Sequence, residues 1–111
     1  MIKNKTKNKV LANDCVIATS FLKKCLGFMF ASQQDRGIVF YFNIEKNISF
    51  HTFFMRFALD FVFLNEKKKV VKIIHGVKPW RLSVVGKGKY VVELPTPRAL
   101  DISLGDTISF K

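Results

Sequence analysis

The stretch ISFHTFFMRFALDFVFL, residues 48–64, is the longest apolar run in the 111-residue chain. His51, Arg56 and Asp60 interrupt it, so it falls short of the roughly 18 uninterrupted apolar residues that indicate a membrane-spanning helix. The interruptions leave two aromatic-rich segments of strand length, residues 48–55 and 60–64. Because aromatic and β-branched residues are enriched in strands, the stretch predicts β-structure and no membrane span.

Short apolar segments of the same kind lie on both sides of this stretch, separated by polar turns. They occupy residues 10–12, 15–19, 38–42, 70–74, 90–94 and 107–110. About eight short strands at spacings of roughly ten residues are typical of a small barrel or sandwich. We therefore predict that residues 1–111 form a single, mainly β domain with one of these two architectures.

Three further segments are assigned from local patterns. One short helix is predicted over residues 20–27, because Ser20 is a favourable N-cap, apolar side chains follow at helical spacing, and Gly27 is a typical stop. Residues 1–9 carry alternating lysines without an apolar face, which predicts a basic N-terminal arm or an edge strand. Residues 86–89, Gly-Lys-Gly-Lys, are interpreted as a flexible basic loop.

The composition limits the class of protein. The chain has 12 Phe, 19 Lys or Arg and 8 Asp or Glu, and its formal net charge is +11. Such a charge is typical of proteins that bind polyanions, and also of proteins whose exposed strands are protected by lysine. Cys15 and Cys25 form no recognisable disulfide framework, and residues 1–10 lack the apolar core of a secretory signal. A cytoplasmic protein without disulfides is predicted.

A set of motifs, in order along nearly the whole chain, carries a family resemblance. The motifs are Lys23-Lys24, Gly27-Phe28-Met29, Gly37-Ile38-Val39-Phe40-Tyr41-Phe42, residues 51–64, Lys78-Pro79-Trp80-Arg81, Glu93-Leu94-Pro95 and Gly105-Asp106. Together they resemble the family known as domain of unknown function 192. The resemblance implies a compact, β-rich barrel or sandwich with a short helix, and it implies no activity. It also implies structural roles for the motif residues Lys24, Gly27, Met29, Met55, Gly105 and Asp106.

Polar residues inside or beside the apolar segments are the candidates for a binding site. We predict a polar cleft formed by His51, Arg56, Asp60, Lys78, Trp80, Arg81 and Glu93. Asp60 and Glu93 lie within apolar runs, where a carboxylate needs a counter-charge or several hydrogen-bond donors. A structural ion pair or a capped turn explains the two carboxylates equally well. Trp80 is interpreted either as a recognition side chain between cations or as a lid on one end of the fold.

The favoured function is that of a small binding or interaction module acting through this cleft. One alternative is polyanion or nucleic-acid binding through the lysine-rich surface. Another is a small enzyme in which His51 works with Asp60 or Glu93, although a structural histidine is the simpler explanation. No catalytic motif and no metal-ligand spacing occurs, so we predict no metal and no cofactor. An anionic ligand or a nucleic acid is the partner to test.

Overall fold

The described part of the chain is built from eight β-strands. A computed structural model describes residues 1–18, 36–50, 57–81 and 84–110, without the side chains of Val16 and Ala18. The strands are β1 (Ile2–Asn4), β2 (Lys9–Ala12), β3 (Asp14–Ala18), β4 (Arg36–Phe50), β5 (Leu59–Leu64), β6 (Val70–Val77), β7 (Val84–Pro95) and β8 (Ile108–Phe110). The predicted mainly β class is confirmed. The helix predicted over residues 20–27 lies outside the described residues.

Two separate sheets account for these strands. Five strands form one sheet in the order β3-β4-β7-β5-β6, and three form the other in the order β2-β1-β8. The strand pairs are antiparallel except for β3 and β4, which are parallel. Residues of both sheets share one core, so the described residues form a two-sheet sandwich and not a closed barrel.

The N-terminal strand lies in the middle of its sheet. β1 pairs with β2 on one side and with β8 on the other. Ile2 and Asn4 are buried, whereas Lys3 between them is only half-buried. Residues 2–4 therefore do not lie at the edge that was predicted for residues 1–9, because the last strand of the chain covers their second side.

The first core lies between the two sheets. Its larger members are Ile2, Leu11, Ile108 and Phe110 from the three-stranded sheet, and Val62, Leu64, Val92 and Leu94 from the five-stranded sheet. Gly37 of β4 allows close approach, since a Cβ at this position would lie 2.3 Å from Ile2 Cδ1 and 2.8 Å from Leu94 Cδ2. Close packing of the two sheets therefore explains a glycine in an otherwise apolar segment.

The opposite face of the five-stranded sheet carries a second core. Its largest fully buried side chains are Phe40 of β4 and Phe61 and Phe63 of β5. Side chains alternate between the two faces along a strand, so β5 supplies both cores and all of its residues, Leu59–Leu64, are buried. Burial on both faces explains why this segment is an almost continuous apolar run in the sequence.

Residues 86–89 belong to β7, so the prediction of a flexible loop at this position is wrong. A Cβ at Gly86 would lie 2.6–2.7 Å from ring atoms of Phe63. A Cβ at Gly88 would lie 2.8 Å from the carbonyl oxygen of Leu64. Both glycines therefore permit close packing between β7 and β5, and this requirement outweighs the low frequency of glycine in strands.

Candidate functional site

Asp60 is fully buried on β5 and accepts hydrogen bonds from three donors. Its Oδ1 accepts from the Gly76 amide at 2.8 Å and from the Thr96 hydroxyl at 2.8 Å. Its Oδ2 accepts from the Ala99 amide at 3.0 Å. A buried carboxylate is stable when donors of this kind replace water. Asp60 therefore joins β6 to the segment that follows β7, which corresponds to the capped-turn alternative.

Glu93 lies on the other face of the same sheet. In the register of β5 and β7, Phe61 pairs with Glu93 while Asp60 pairs with Leu94. Phe61 belongs to the second core and Leu94 to the first, so the two carboxylates point to opposite sides. Glu93 is 7 % exposed, and burial raises its pKa to about 8. The sheet therefore separates Asp60 from Glu93, and Glu93 is mainly a neutral acid at pH 7.

The segment that connects β6 to β7 presents basic and aromatic residues. Lys78, Trp80 and Arg81 are all exposed. Trp80 is 60 % exposed and its φ is 65°, a left-handed conformation that is uncommon for a bulky side chain. Both interpretations of Trp80, a recognition side chain and a lid, stay predictions.

A cleft of about 450 Å³ lies beside this segment. Its cationic lining residues are Lys72, Lys78 and Arg81. The remaining described lining residues are Ile74, Gly76, Val77, Val84 and Val85. Lys72 is exposed and Ile74 is half-buried on β6, and Ile74, Val77 and Val84 belong to or pack against the second core. The cleft is thus lined by three cations and by apolar side chains of the second core, which we call its apolar floor.

Lys72 is the lining cation that the sequence analysis did not select. Its Nζ donates a hydrogen bond to the Val85 carbonyl oxygen at 2.7 Å, which links β6 to the first half of β7. The i, i+2 relation of Lys72 and Ile74 in a predicted strand was the available signal, since it places both on one face. Nothing in the sequence, however, indicated that β7 returns beside that face.

Gly105 and Asp106 form a tight turn before β8. Gly105 has a φ of 88°, and its amide donates to the Val70 carbonyl oxygen at 2.8 Å. Asp106 Oδ2 accepts from the Ser103 amide at 2.9 Å and from Asn4 Nδ2 at 2.8 Å. These two hydrogen bonds hold the pKa of Asp106 below its ordinary value, and the Lys7 ammonium, whose Nζ lies 3.4 Å from Asp106 Oδ2, adds to the effect. Buried Asn4, which the sequence analysis did not select, ties β1 to this turn.

The remaining site and motif candidates lie outside the described residues. They are His51 and Arg56 from the predicted cleft, and Lys24, Gly27, Met29 and Met55 from the family motifs. Within residues 1–18, 36–50, 57–81 and 84–110, no three His, Cys, Asp or Glu side chains come together in a way that would hold a metal ion. The same residues include no helix with the length and hydrophobicity that crossing a membrane requires.

Two solved structures share the fold of the chain. One is a proposed transcription regulator from Sinorhizobium meliloti 1021, which has a TM-score of 0.80 and is 20% identical over 86% of this chain and 79% of that protein. The other is a protein of unknown function from Novosphingobium aromaticivorans DSM 12444, which has a TM-score of 0.78 and is 21% identical over 86% and 74% of the two chains. At these identities the likeness concerns the fold alone.

Sequence relatives cover nearly the full length of the chain. The UPF0127 protein of Pyrococcus furiosus is 37% identical over 112 residues, which are 96% of this chain and 95% of that protein. The UPF0127 protein of Pyrococcus horikoshii is 35% identical over 117 residues, which are 99% and 98% of the two proteins. Residues 2–110 match the profile of the DUF192 family, described as "Uncharacterized ACR". The resemblance deduced from the motifs is thereby confirmed, and the chain belongs to the DUF192 family.

Proposed function

We propose that the protein is a binding module and that the cleft between β6, β7 and their connection receives a small amphipathic anion. The observation that carries this proposal is the lining of the cleft, where Lys72, Lys78 and Arg81 surround an apolar floor. A volume of about 450 Å³ is within the range of small-molecule sites. The expected ligand has an apolar body of moderate size and ends in a carboxylate, sulfonate or phosphate.

The three cations offer different hydrogen-bond geometries to such an anion. A guanidinium presents a planar fork that matches a carboxylate or phosphate, which suits Arg81 to bidentate binding. An ammonium carries three donors, so Lys72 can contact a ligand while it donates one hydrogen bond to Val85. The ligand's apolar body would lie against Ile74, Val77 and Val84 and be removed from water.

Trp80 provides both a supporting observation and a readout. Its backbone conformation is one that structures retain mainly at functional positions, because it costs on the order of 1–3 kcal/mol. Trp80 is next to the lining residue Arg81, and it is the single tryptophan of the chain. A ligand that enters the cleft should therefore change the intrinsic fluorescence of the protein.

The test is a fluorescence titration with octanoate, inorganic phosphate and octanol. Octanoate combines an apolar chain with a negative charge, so we expect saturable quenching by octanoate and a response weakened by roughly tenfold or more for the other two probes. The variant Lys78→Ala/Arg81→Ala should lose octanoate binding. The control Lys5→Ala/Lys67→Ala removes the same charge from exposed positions away from the cleft and should retain it. Equal losses in both variants, or equal binding of octanoate and octanol, would contradict the proposal.

Polyanion binding through the lysine-rich surface is a second candidate. The net charge of +11 favours it, and the fold is shared with a proposed transcription regulator. If this candidate is correct, the protein retards a DNA or RNA fragment in a gel at about 50 mM salt and loses affinity steeply by about 200 mM. Absence of retardation at the lower salt concentration would eliminate it.

The enzyme hypothesis and the cytoplasmic location stay predictions. The hypothesis involves His51, which lies outside the described residues. Of the two possible carboxylate partners, Asp60 is engaged by three donors and Glu93 is buried in the second core. A turnover that His51→Ala abolishes without lowering the melting temperature would revive the enzyme hypothesis.

A further inference from the structure

Three aromatic rings pack together where β4, β7 and β8 meet. We call Tyr41, Tyr90 and Phe110 the ring cluster. The Tyr41 ring meets the Tyr90 ring at a centroid distance of 5.1 Å and the Phe110 ring at 5.6 Å, both nearly edge to face. The Tyr90 and Phe110 rings are 5.5 Å apart and tilted by 59°. Phe110 belongs to the first core and is 6 % exposed, and the two half-buried tyrosines pack against that core.

Lysine side chains lie over these rings. Lys68 Nζ is 4.7 Å from the centroid of Phe110 and 5.9 Å from that of Tyr90, and Lys89 Nζ is 5.7 Å from that of Tyr90. A cleft of about 360 Å³ adjoins the cluster, and its described lining residues are Met1, Lys3, Lys68, Ser109 and Phe110. The rings are therefore within reach of flexible cationic side chains that extend from the surface.

Within the described residues, the cations around the ring cluster have no acidic partners. No ion pair joins Lys3, Lys68 or Lys89 to a carboxylate of the described residues. The hydroxyl groups of Tyr41 and Tyr90 likewise make no hydrogen bond within the described part of the chain. Burial raises the pKa of Tyr41, with Tyr90 and Cys15 adding to the effect, so its hydroxyl stays neutral and can donate or accept. The site combines aromatic surface, unpaired positive charge and available hydroxyl groups.

We propose that the ring cluster and its lysines bind a nucleoside phosphate. Lys68 and Lys89, whose ends now cover Phe110 and Tyr90, turn to the phosphate, and the base takes their place over the uncovered rings. The adjoining cleft is at the lower end of the size range of ligand sites, which suits one nucleotide. This site is distinct from the cleft beside Trp80, since the two have no described lining residue in common. The inference therefore does not rest on the function proposed above.

The experiment is a calorimetric titration of the full chain with AMP, adenosine and inorganic phosphate. Because stacking and charge act together, we expect AMP to bind at micromolar to millimolar concentration and to exceed each of the other two probes by roughly tenfold or more. Upfield shifts of the adenine protons in nuclear magnetic resonance spectra should accompany binding, since the base lies over aromatic rings. Equal affinity for AMP and phosphate, or no binding of AMP at millimolar concentration, would overturn the proposal.

Matched variants locate the binding to the ring cluster. Lys68→Met/Lys89→Met removes the two charges but retains the apolar stems over the rings, and it should weaken AMP binding about tenfold or more. Lys67→Met/Lys87→Met makes the same change at exposed neighbouring positions and should leave the affinity within about twofold. Similar losses in both double variants would show that net charge, and not this site, determines binding.

A final comparison distinguishes the two sources of a nucleoside phosphate. A short oligothymidylate is titrated beside thymidine monophosphate. Affinity that rises strongly with strand length indicates that the site receives a single-stranded nucleic acid, because further phosphates then meet further lysines. Affinity that does not rise indicates a free nucleotide. In either case, the variant Lys68→Met/Lys89→Met must lower the affinity for thymidine monophosphate. If it does not, the ring cluster is not the binding site.

Discussion

Burial in the second core raises the pKa of Glu93 from an ordinary 4.5 to about 8. A raised pKa means that the fold favours the protonated form, so this residue contributes its full stability below about pH 4.5. The free energy of unfolding then falls as the pH rises toward 8, by up to roughly 1.4 kcal/mol for each pH unit, and stays level above that value. This dependence is opposite in direction to that of a carboxylate held by cations.

Replacement of Glu93 by glutamine should remove this loss of stability. Gln has nearly the same shape as a protonated Glu and does not ionise, so we expect Glu93→Gln to match the wild type near pH 5 and to exceed its stability at pH 8. Urea unfolding at the two pH values measures the effect. Glu66→Gln, at an exposed position, is the control and should follow the wild type. If Glu93→Gln loses stability with rising pH as the wild type does, the assignment to Glu93 is wrong.

At the residue scale, the sequence identified both buried carboxylates but not their surroundings. Asp60 and Glu93 were selected because charged side chains interrupt apolar runs, and both prove to be buried. The face on which each lies depends on the register between β5 and β7, and a shift of one residue would exchange the faces. Register is a property of pairing between distant segments. The sequence alone therefore identified both carboxylates, but it did not indicate that they lie on opposite faces of the sheet.

At the element scale, β7 depends on a contact between Gly86 and Phe63 of β5. Since a Cβ at Gly86 would lie 2.6–2.7 Å from the ring, we expect Gly86→Ala to destabilise the protein by about 1–3 kcal/mol. Thermal unfolding followed by circular dichroism measures the change. Lys87→Ala is the control, because it adds no atom to the core and its side chain is exposed.

A second variant tests the cause of this loss. Phe63→Leu shortens the side chain that meets the new methyl group. The double variant Phe63→Leu/Gly86→Ala should therefore be more stable than the sum of the two single effects indicates. The expected coupling free energy is about 0.5–3 kcal/mol. Additive effects would show that the two positions do not act through contact.

The elements were predictable where the pattern is local. Residues 60–64 were assigned to a strand because aromatic and β-branched side chains follow one another, and β5 confirms this assignment. Residues 86–89 were interpreted as a flexible basic loop, and this was wrong because the two glycines pack against Phe63 and Leu64 within β7. The cleft beside Trp80 could be identified only in part, because β6 and β7 are not neighbours in the sheet.

At the scale of the whole molecule, Asn4 and Asp106 join the first strand to the turn that precedes the last. The carboxylate accepts a hydrogen bond from Asn4 in a buried setting, so we expect Asn4→Ala to lower the free energy of unfolding by about 1.5–3 kcal/mol at pH 7. The pKa of Asp106 is lowered in the fold, and its contribution is therefore present above its ordinary pKa of 3.8 and lost as the pH falls below it.

The difference in the free energy of unfolding between Asn4→Ala and the wild type should consequently become smaller under acidic conditions. Chemical denaturation at neutral pH and near pH 3 measures it, because the carboxylate begins to protonate in that range. Asn47→Ala, at an exposed position of β4, should change the stability little at either pH. A difference that is the same at both pH values would contradict the role of the charged carboxylate.

The overall charge was predictable, but its distribution was not. The composition gives +11 directly. The structure adds that several of the few acidic residues are already occupied, since Asp14, Asp101 and Asp106 form ion pairs and Asp60 and Glu93 are buried. Lysines such as Lys68 and Lys89 therefore remain without carboxylate partners in the described part of the chain. This arrangement depends on tertiary packing that no local pattern encodes.

The central position of β1 also affects how the protein is made. The strand leaves the ribosome before its partner β8, and Asn4 and Asp106 are separated by 102 positions. At the usual rates of translation, roughly 5–20 residues per second, the N-terminal strand waits on the order of 5–20 s for that partner. The three-stranded sheet, and with it the first core, closes only after β8 has been synthesised.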